Sequence, residues 1–217
     1  MRDDPETVIH VLVRVWLPDR PGALGLVASR IGAVDGDIVG IDVLERGDNV
    51  AVDEFAVLLR KSVAIDLLVR EIEEVDGASV EEVRTTEQFP DPRLDALASA
   101  SRLCGAMNVA ELQQTLVETI HAEFLADWSA LLEDGTSRAA SGAPPDVSVL
   151  EALVAGTAAS PRVADGTTGP DDLAVASLPD HEAALLVGRD GRAFRRRERA
   201  QLVALAAIAD RTWALLD

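Results

Sequence analysis

The chain has 217 residues, 48% of them apolar, so it is long enough for one large or two small domains with a hydrophobic core. Its formal net charge of −18 argues against nonspecific binding to nucleic acid or to an anionic membrane. A single cysteine, Cys104, excludes an intramolecular disulfide and a multi-cysteine metal site. No secretory signal and no apolar run of membrane-spanning length is visible, so we expect a cytoplasmic protein.

The first predicted elements are a strand and a helix. From Val8 to Leu17, aliphatic residues alternate with a mixed set, which predicts a β-strand with one buried face. From Ala23 to Val34, apolar residues recur at helical spacing and predict an amphipathic helix. The turn between them contains Pro21, which suits the first turn of a helix, and Gly22, which lets the backbone or a ligand approach closely.

The start of this helix has two interpretations. Its first N–H groups point outward, with the positive end of the helix dipole behind them, so a carboxylate could bind there. Alternatively, the side chain of Asp19 folds back and caps those N–H groups. On the residues alone, the local cap is favoured because caps are far commoner than ligand sites.

Four more elements complete the first half of the chain. Two strands joined by a hairpin turn at 46–49, a helix ended by Gly77 at its C′ position, and a short strand follow one another: Asp37–Glu45, Val50–Arg60, Ile65–Val75 and Ala78–Arg84. The order is therefore βαββαβ, the ferredoxin-like arrangement, with two helices on one face of an antiparallel sheet. The acidic residues Asp42, Asp53 and Glu54 are interpreted as solvated strand positions.

Residues 8–85 resemble an ACT domain, a small regulatory module of amino-acid metabolism. Three stretches carry the resemblance: Asp19-Arg20-Pro21-Gly22-Ala23-Leu24, Gly36-Asp37-Ile38 and Val52-Asp53-Glu54-Phe55. The resemblance implies a homodimer, often paired sheet edge to sheet edge, with an amino acid at the interface. It also implies that the ligand-binding residues are Asp19, Arg20, Pro21, Gly22, Ala23, Leu24, Asp37 and Ile38. The helix N-terminus would bind the α-carboxylate, and Asp37 would accept the ammonium group.

A linker at 86–92, with Pro90 and Pro92, separates domains predicted at 1–85 and 93–217. The predicted helices of the second domain are Leu94–Ala106, a helix capped by Asn108 and Glu111 that runs to Phe124, Val147–Val154 and Phe194–Leu216. The predicted strands are Trp128–Glu133, Arg138–Ala143, Leu173–Leu178 and Ala183–Val187, with a loop at Ser160–Asp172 that could order over a pocket. This α/β layout with a central antiparallel sheet resembles a GAF domain, through the order of its elements, the last strand with Gly188 after it, and the closing helix. The resemblance implies either a small-molecule pocket or a fold used for dimerisation or partner contact.

No other stretch predicts chemistry. Arg195, Arg196, Arg197 and Arg199 are interpreted as solvated charges paired with Glu198 and neighbouring acids, not as a nucleic-acid surface. His10, His121 and His181 belong to different elements, so we predict no metal and no cofactor. No nucleophile elbow, P-loop or dinucleotide fingerprint is present, and we therefore predict that the protein is not an enzyme.

The first hypothesis is a regulatory protein, of bacterial origin by its arginine- and alanine-rich composition. It would bind an amino acid or similar small metabolite at a dimer interface and signal through the GAF-like domain to an unknown protein partner. The alternative is a ligand-free dimerisation or interaction scaffold. A third hypothesis is a small enzyme with its site in the GAF-like pocket.

Overall fold

A computed structural model describes residues 8–159 and 169–217 of the chain. Over these residues the fold is mixed α+β, with two antiparallel four-stranded sheets and six α-helices. The chain divides into two compact units, Met1–Pro90 and Asp91–Asp217, called the first and second unit below. Each unit contains one of the two sheets.

The first unit has the order βαββαβ that the sequence pattern predicts. Its elements are β1 (Val8–Pro18), α1 (Ala23–Ala33), β2 (Asp37–Gly47), β3 (Val50–Arg60), α2 (Ile65–Glu73) and β4 (Ser79–Thr86). The sheet order is β2-β3-β1-β4, so β1 and β3 are central and β2 and β4 are edge strands. All three strand pairs are antiparallel.

Alternate residues of the central strands form one apolar face. Val11, Val13 and Leu17 of β1 lie opposite Val57, Phe55 and Ala51 of β3. The two helices cover this face with the buried side chains Val27, Ile31, Leu68 and Ile72. The apolar residues at every second position of the strands and at helical spacing in α1 and α2 therefore pack together in one core.

Two details of the turns differ from the predictions. The β2–β3 hairpin, predicted at 46–49, turns at Asp48 and Asn49, whose φ angles are 53° and 64°, and residues 46 and 47 belong to β2. Two consecutive residues with positive φ match the right-handed twist of the strands they connect. Helix α2 ends at Glu73, and Gly77, with φ of 79°, lies beyond its C′ position.

The second unit contains two helices, a sheet with one inserted helix, and a long last helix. Its elements are α3 (Pro92–Cys104), α4 (Val109–Glu123), β5 (Trp128–Glu133), β6 (Thr136–Gly142), α5 (Val147–Ala158), β7 (Leu173–Leu178), a 3₁₀ turn (Pro179–His181), β8 (Ala183–Gly188) and α6 (Arg196–Leu216). The sheet order is β6-β5-β8-β7. Most of the predicted loop at Ser160–Asp172 lies outside the described residues.

The boundaries around the predicted linker at 86–92 also differ in detail. Strand β4 reaches Thr86, and Pro92 is the first residue of α3. The side chain of Asp91 caps this helix, because its Oδ1 accepts the N–H groups of Arg93 at 3.1 Å and Leu94 at 3.2 Å. Pro92 fits the first helical position, where its missing N–H loses no hydrogen bond.

The sheet of the second unit is covered on both faces. One face packs against α3, α4 and α6 in a core that includes Leu131, Leu185 and Val187 of the strands. The other face packs against α5, where Leu150 is buried beside Ala130, Leu132 and Leu186. Among the described helices, none has the length and apolar character needed to cross a membrane.

Candidate ligand site at the N-terminus of helix α1

The turn between β1 and α1 is held by backbone hydrogen bonds. The N–H of Asp19 donates to the carbonyl of Asn49 at 2.9 Å, and the N–H of Arg20 donates to that of Pro18 at 2.8 Å. Gly22 is the N-cap residue of α1, with φ of 89°. Open space surrounds the position where a Cβ would stand. Glycine is therefore favoured here by the left-handed backbone conformation, not by crowding.

Asp19 does not cap helix α1, so the capping interpretation is wrong. Its Oδ1 accepts hydrogen bonds from the Nη2 and, at 3.2 Å, the Nε of Arg46, at the end of β2. Within the described residues, the N–H groups of Leu24 and Gly25 consequently have no acceptor. These donors stand at the positive end of the helix dipole and can bind an anion.

A buried carboxyl group lies on the same face as Arg46. Asp53 pairs with Val15 of β1 and Val43 of β2, within the row that faces the helices, and only 3% of it is exposed. Burial raises the pKa of the Asp53 carboxyl, the guanidinium of Arg46 opposes this rise, and the charge of Asp19 adds to it. Asp19 also raises the pKa of Arg46, through its hydrogen bond and its charge.

The interpretation of Asp53 and Glu54 as solvated strand positions is therefore wrong. Asp53 alternates in sequence with Ala51 and Phe55, and this pattern is the signal that could have revealed its burial. Glu54 lies on the opposite face and accepts a hydrogen bond from Arg14 at 3.1 Å. The side chains of Arg14 and Glu54 are only 4% and 12% exposed.

The residues predicted to bind a ligand lie at two ends of the sheet. Those in the turn, Asp19, Arg20, Pro21, Gly22, Ala23 and Leu24, are near the β2–β3 hairpin, because Pro18 pairs with Val50. Asp37 and Ile38 pair with Leu58 and Val57, at the other end of β2. Ten residues of strand separate the two groups by about 30 Å, since a strand rises roughly 3.3 Å per residue. One chain alone does not bring both groups around one small ligand.

The edge strand between these two groups exposes apolar side chains. Val39, Ile41 and Val43 are 51%, 39% and 44% exposed. Strand β2 hydrogen-bonds to β3 on one side only, so its other side presents backbone N–H and C=O groups. A long edge of this kind can pair with another strand.

In the second unit, the arginines near the start of α6 have a structural role. Arg195 and Arg199 are 7% and 6% exposed, so the interpretation of these residues as solvated is wrong. Arg199 donates to the carbonyls of Leu173 at 2.8 Å and Pro170 at 2.5 Å. These bonds tie α6 to the chain entering β7. Buried guanidinium groups can satisfy several carbonyls at once because their donors form a planar fork.

Arg189 forms a second buried centre, at the end of β8. It is 3% exposed and donates to the carbonyls of Phe124 at 2.7 Å and Ala193 at 2.9 Å. Its Nη2 also lies 2.8 Å from Glu198 Oε1, and its guanidinium stacks 4.0 Å from the ring centre of Phe194. The contact with Phe124 satisfies the C-terminus of α4, where a cation is favoured by the helix dipole.

Two histidines of the second unit contact polar side chains. His121 Nδ1 lies 2.7 Å from Ser141 Oγ, a nucleophile–base distance, but no described carboxylate hydrogen-bonds to the other ring nitrogen. His181 bonds to Asp210 at 2.7 Å and stacks on Trp213 with ring centres 4.2 Å apart. This second arrangement anchors the 3₁₀ turn to α6. Among the described residues, no three His, Cys, Asp or Glu side chains are grouped to hold a metal ion.

Comparison with known proteins gives only distant structural similarity. No family of known sequences and no curated protein matches the chain. The solution structure of the C-terminal domain of the MgtC protein from Mycobacterium tuberculosis is 19% identical, with a TM-score of 0.32, covering 41% of this chain and 98% of that one. An unknown protein from Galdieria sulphuraria is 12% identical, with a TM-score of 0.34, and the match covers 95% of this chain and 94% of that one.

A third similar structure is the phytochrome photosensory core module of Stigmatella aurantiaca. It is 11% identical, with a TM-score of 0.34, covering 98% of this chain and 58% of that one. All three TM-scores are low, so the functional proposals below depend on the residues of the chain itself.

Proposed function

We propose that the chain is a non-enzymatic regulatory protein that binds an amino acid or similar small metabolite between two copies of its first unit. In this proposal the first unit is a ferredoxin-like ACT domain, and the second is a GAF-like domain that transmits binding to a protein partner. The observation that carries the proposal is the N-terminus of α1, where Leu24 and Gly25 present N–H groups without a side-chain cap.

The turn can supply half of an amino-acid site. The carboxylate of a ligand would accept the N–H groups of Leu24 and Gly25, at the positive end of the dipole of α1. Gly22, whose positive φ favours glycine, has no side chain that could block this approach. The ammonium group of the ligand needs an acceptor close by, and Asp37 of the same chain is at the far end of β2.

A second copy of the chain can supply the other half. If the β2 strands of two copies pair antiparallel, the start of one strand lies beside the end of the other. Asp37 and Ile38 of one copy then come near the hairpin and turn of its neighbour. Such pairing would also cover Val39, Ile41 and Val43. With Asp37 as the acceptor of the ammonium group, the proposal requires a homodimer, with one site at each end of the paired edge.

Regulation would follow from a difference in affinity between two arrangements of the dimer. A ligand shifts an equilibrium only by as much as its affinity differs between the two states. The second unit would present different surfaces in these states to its partner.

Thermal melting of the protein in the presence of each of the twenty amino acids tests the proposal. A ligand that binds only the folded state raises the melting midpoint. The test variant is Gly25→Asp, which places a carboxylate at the third residue of α1, where it favours the helix but repels an anionic ligand. The control is Gly32→Asp, the same change near the other end of α1, where a Cβ also meets open space.

We expect one amino acid to raise the midpoint of the wild type and of Gly32→Asp, but not of Gly25→Asp. A protein that no amino acid stabilises would instead favour the ligand-free scaffold. Equal stabilisation of both variants would place the ligand elsewhere in the molecule.

Analytical ultracentrifugation tests the dimer separately. Ile41→Lys introduces a charge on the exposed edge of β2 and should convert the dimer to a monomer. Val149→Lys, at a position on α5 that is 47% exposed, is the matched control. A monomeric wild type, or an Ile41→Lys dimer, would contradict pairing through β2.

A further inference from the structure

A carboxyl group stands where the core of the first unit is otherwise apolar. Asp53 lies between Val15 and Val43 in the sheet, with Ala51 and Phe55 as its neighbours along β3 on the same face. It is 3% exposed, and its Oδ1 has no hydrogen-bond partner among the described residues. Buried polar atoms almost always have a partner, so this carboxyl oxygen is unusual in being free to accept a hydrogen bond.

The arginine on the same face of the sheet is already bound to a different acid. Arg46 shares the helix-facing side of the sheet with Asp53, because it pairs with Ala51. Its Nε and Nη2 bond to Asp19, not to Asp53. Arg46 pairs with Ala51, two residues along β3 from Asp53, and bonds to Asp19 in the turn that opens α1, so the three side chains group at this end of the sheet. The charges of Asp19 and Arg46 also act on the pKa of Asp53.

The cluster fits an organic cation better than a metal ion. Calcium and magnesium need six or more oxygen ligands, of which this cluster supplies only two carboxylates. An ammonium group carries three N–H donors and is satisfied by two or three acceptors. Ammonium binding would give Asp53 Oδ1 a hydrogen-bond donor and offset the penalty of burying a carboxylate.

The surroundings also define the rest of the ligand. The N–H groups of Leu24 and Gly25 can donate hydrogen bonds to an anionic group. Val43, 44% exposed, lies directly across from Asp53, and Leu24 is 38% exposed. These side chains offer an apolar contact beside the charged groups.

We propose that Asp53 and Asp19 form the receptor for the amine of the ligand, which replaces the guanidinium of Arg46, and that the ligand is an amino acid with an aliphatic side chain. The inference rests on the proposed function in placing the carboxylate of the ligand at α1. It departs from that proposal in replacing Asp37 of the second copy with Asp53 of the same chain as the acceptor of the amine, and it names the class of side chain.

Three matched probes separate the two claims. L-leucine carries amine, carboxylate and aliphatic chain, isoamylamine lacks the carboxylate, and 4-methylvalerate lacks the amine. Binding of each is measured by isothermal titration calorimetry and by the shifts of backbone amide signals in NMR spectra. The test variant is Asp53→Asn, which keeps the size and shape of the side chain. The control is Asp35→Asn, an exposed position with φ of 57° that asparagine tolerates.

We expect L-leucine and isoamylamine to bind the wild type and the Asp35→Asn variant. Asp53→Asn should weaken both by roughly tenfold or more, the effect of losing a hydrogen bond to a charged group, and leave 4-methylvalerate unaffected. Arg46→Gln should strengthen isoamylamine binding, because the resident cation no longer competes for Asp19. If the melting midpoint of Asp53→Asn is at least as high as that of the wild type, a loss of binding is not caused by unfolding.

The outcomes distinguish this inference from the proposed function. If L-leucine and 4-methylvalerate bind and Asp53→Asn changes neither, the carboxylate site stands and the amine receptor is wrong. If isoamylamine binds through Asp53 but no amino acid binds, the receptor stands and the proposed function is wrong. If neither L-leucine nor isoamylamine binds the wild type, the inference is overturned.

Discussion

Replacing Arg189 should destabilise the second unit strongly, because this one side chain joins three elements. Its guanidinium donates to carbonyls of Phe124 and Ala193 and to the carboxylate of Glu198, at 2.7 to 2.9 Å. Arg189→Met keeps most of the apolar volume but removes the ion pair between Arg189 and Glu198. Removing one member of a buried ion pair costs about 3–5 kcal/mol.

The remaining contacts set the size of the effect. The carbonyl of Phe124 still accepts from Arg192 at 3.0 Å, and Glu198 still accepts the N–H of Arg195 at 2.8 Å. We therefore expect Arg189→Met to lower the free energy of unfolding by about 3–5 kcal/mol and not by the sum of all its hydrogen bonds. Glu198→Gln, which retains an acceptor oxygen, should cost about 1–3 kcal/mol. The double variant should cost less than the sum of the single variants, with a coupling of about 0.5–3 kcal/mol.

Urea unfolding followed by tryptophan fluorescence measures these differences. In a Trp16→Phe background, the remaining tryptophans, Trp128 and Trp213, both lie in the second unit. Arg196→Met, at an exposed neighbouring position, is the matched control and should stay within about 0.5 kcal/mol of the parent. If Arg189→Met cost no more than this control, or if the two single effects were additive, the assigned role of the guanidinium would be wrong.

Three further predictions concern the backbone and the buried acid. Because burial raises the pKa of Asp53 in the folded state, the wild type loses stability as the pH rises from the usual pKa of 3.8 through the raised pKa. Asp53→Asn should therefore gain stability over the wild type across that pH range, measured by melting at a series of pH values. A stability difference that does not depend on pH would contradict this prediction. Gly142→Ala should lower the free energy of unfolding in urea by about 2 kcal/mol or more, because Gly142 has φ of 74° and a Cβ would collide with the carbonyl of Asp127. The control Gly156→Ala, in open space on α5, should raise it by about 0.5–1 kcal/mol, and equal effects of the two changes would refute the clash. Asn108→Ala should lower the free energy of unfolding by about 1 kcal/mol, because the side chain of Asn108 accepts a hydrogen bond from an N–H of α4 at 2.9 Å. An unchanged midpoint in thermal melts followed by circular dichroism would contradict this prediction.

The secondary structure could be read from the sequence because its signals are local. The predicted strands at Val50–Arg60, Trp128–Glu133 and Leu173–Leu178 have the same bounds in the structure. In each of these segments the side-chain pattern and the flanking turn residues agree. Where a boundary was wrong, as at Pro92, the residue can either end one element or begin the next.

The partners of the charged residues could not be read in the same way. Asp19 and Arg46 are 27 positions apart, so the ion pair that removes the cap of α1 depends on the β2–β3 hairpin reaching the turn. Asp53 carried a visible signal in its apolar row, but its residue type favours the surface. The burial of Arg189 and Arg199 depends on carbonyls from other elements, which no local pattern encodes.

The strand order of the first unit also determines how late its sheet can be completed during synthesis. The central strand β1 is made first, yet its two neighbours are β3 and β4, and β4 ends only at Thr86. At about 5–20 residues per second, a nascent β1 spends roughly 3–14 s on the ribosome before its last partner has been translated. Until translation passes the end of β4, one side of this aliphatic strand lacks the neighbour that it has in the folded unit, and unpaired strand edges of this kind are prone to aggregation.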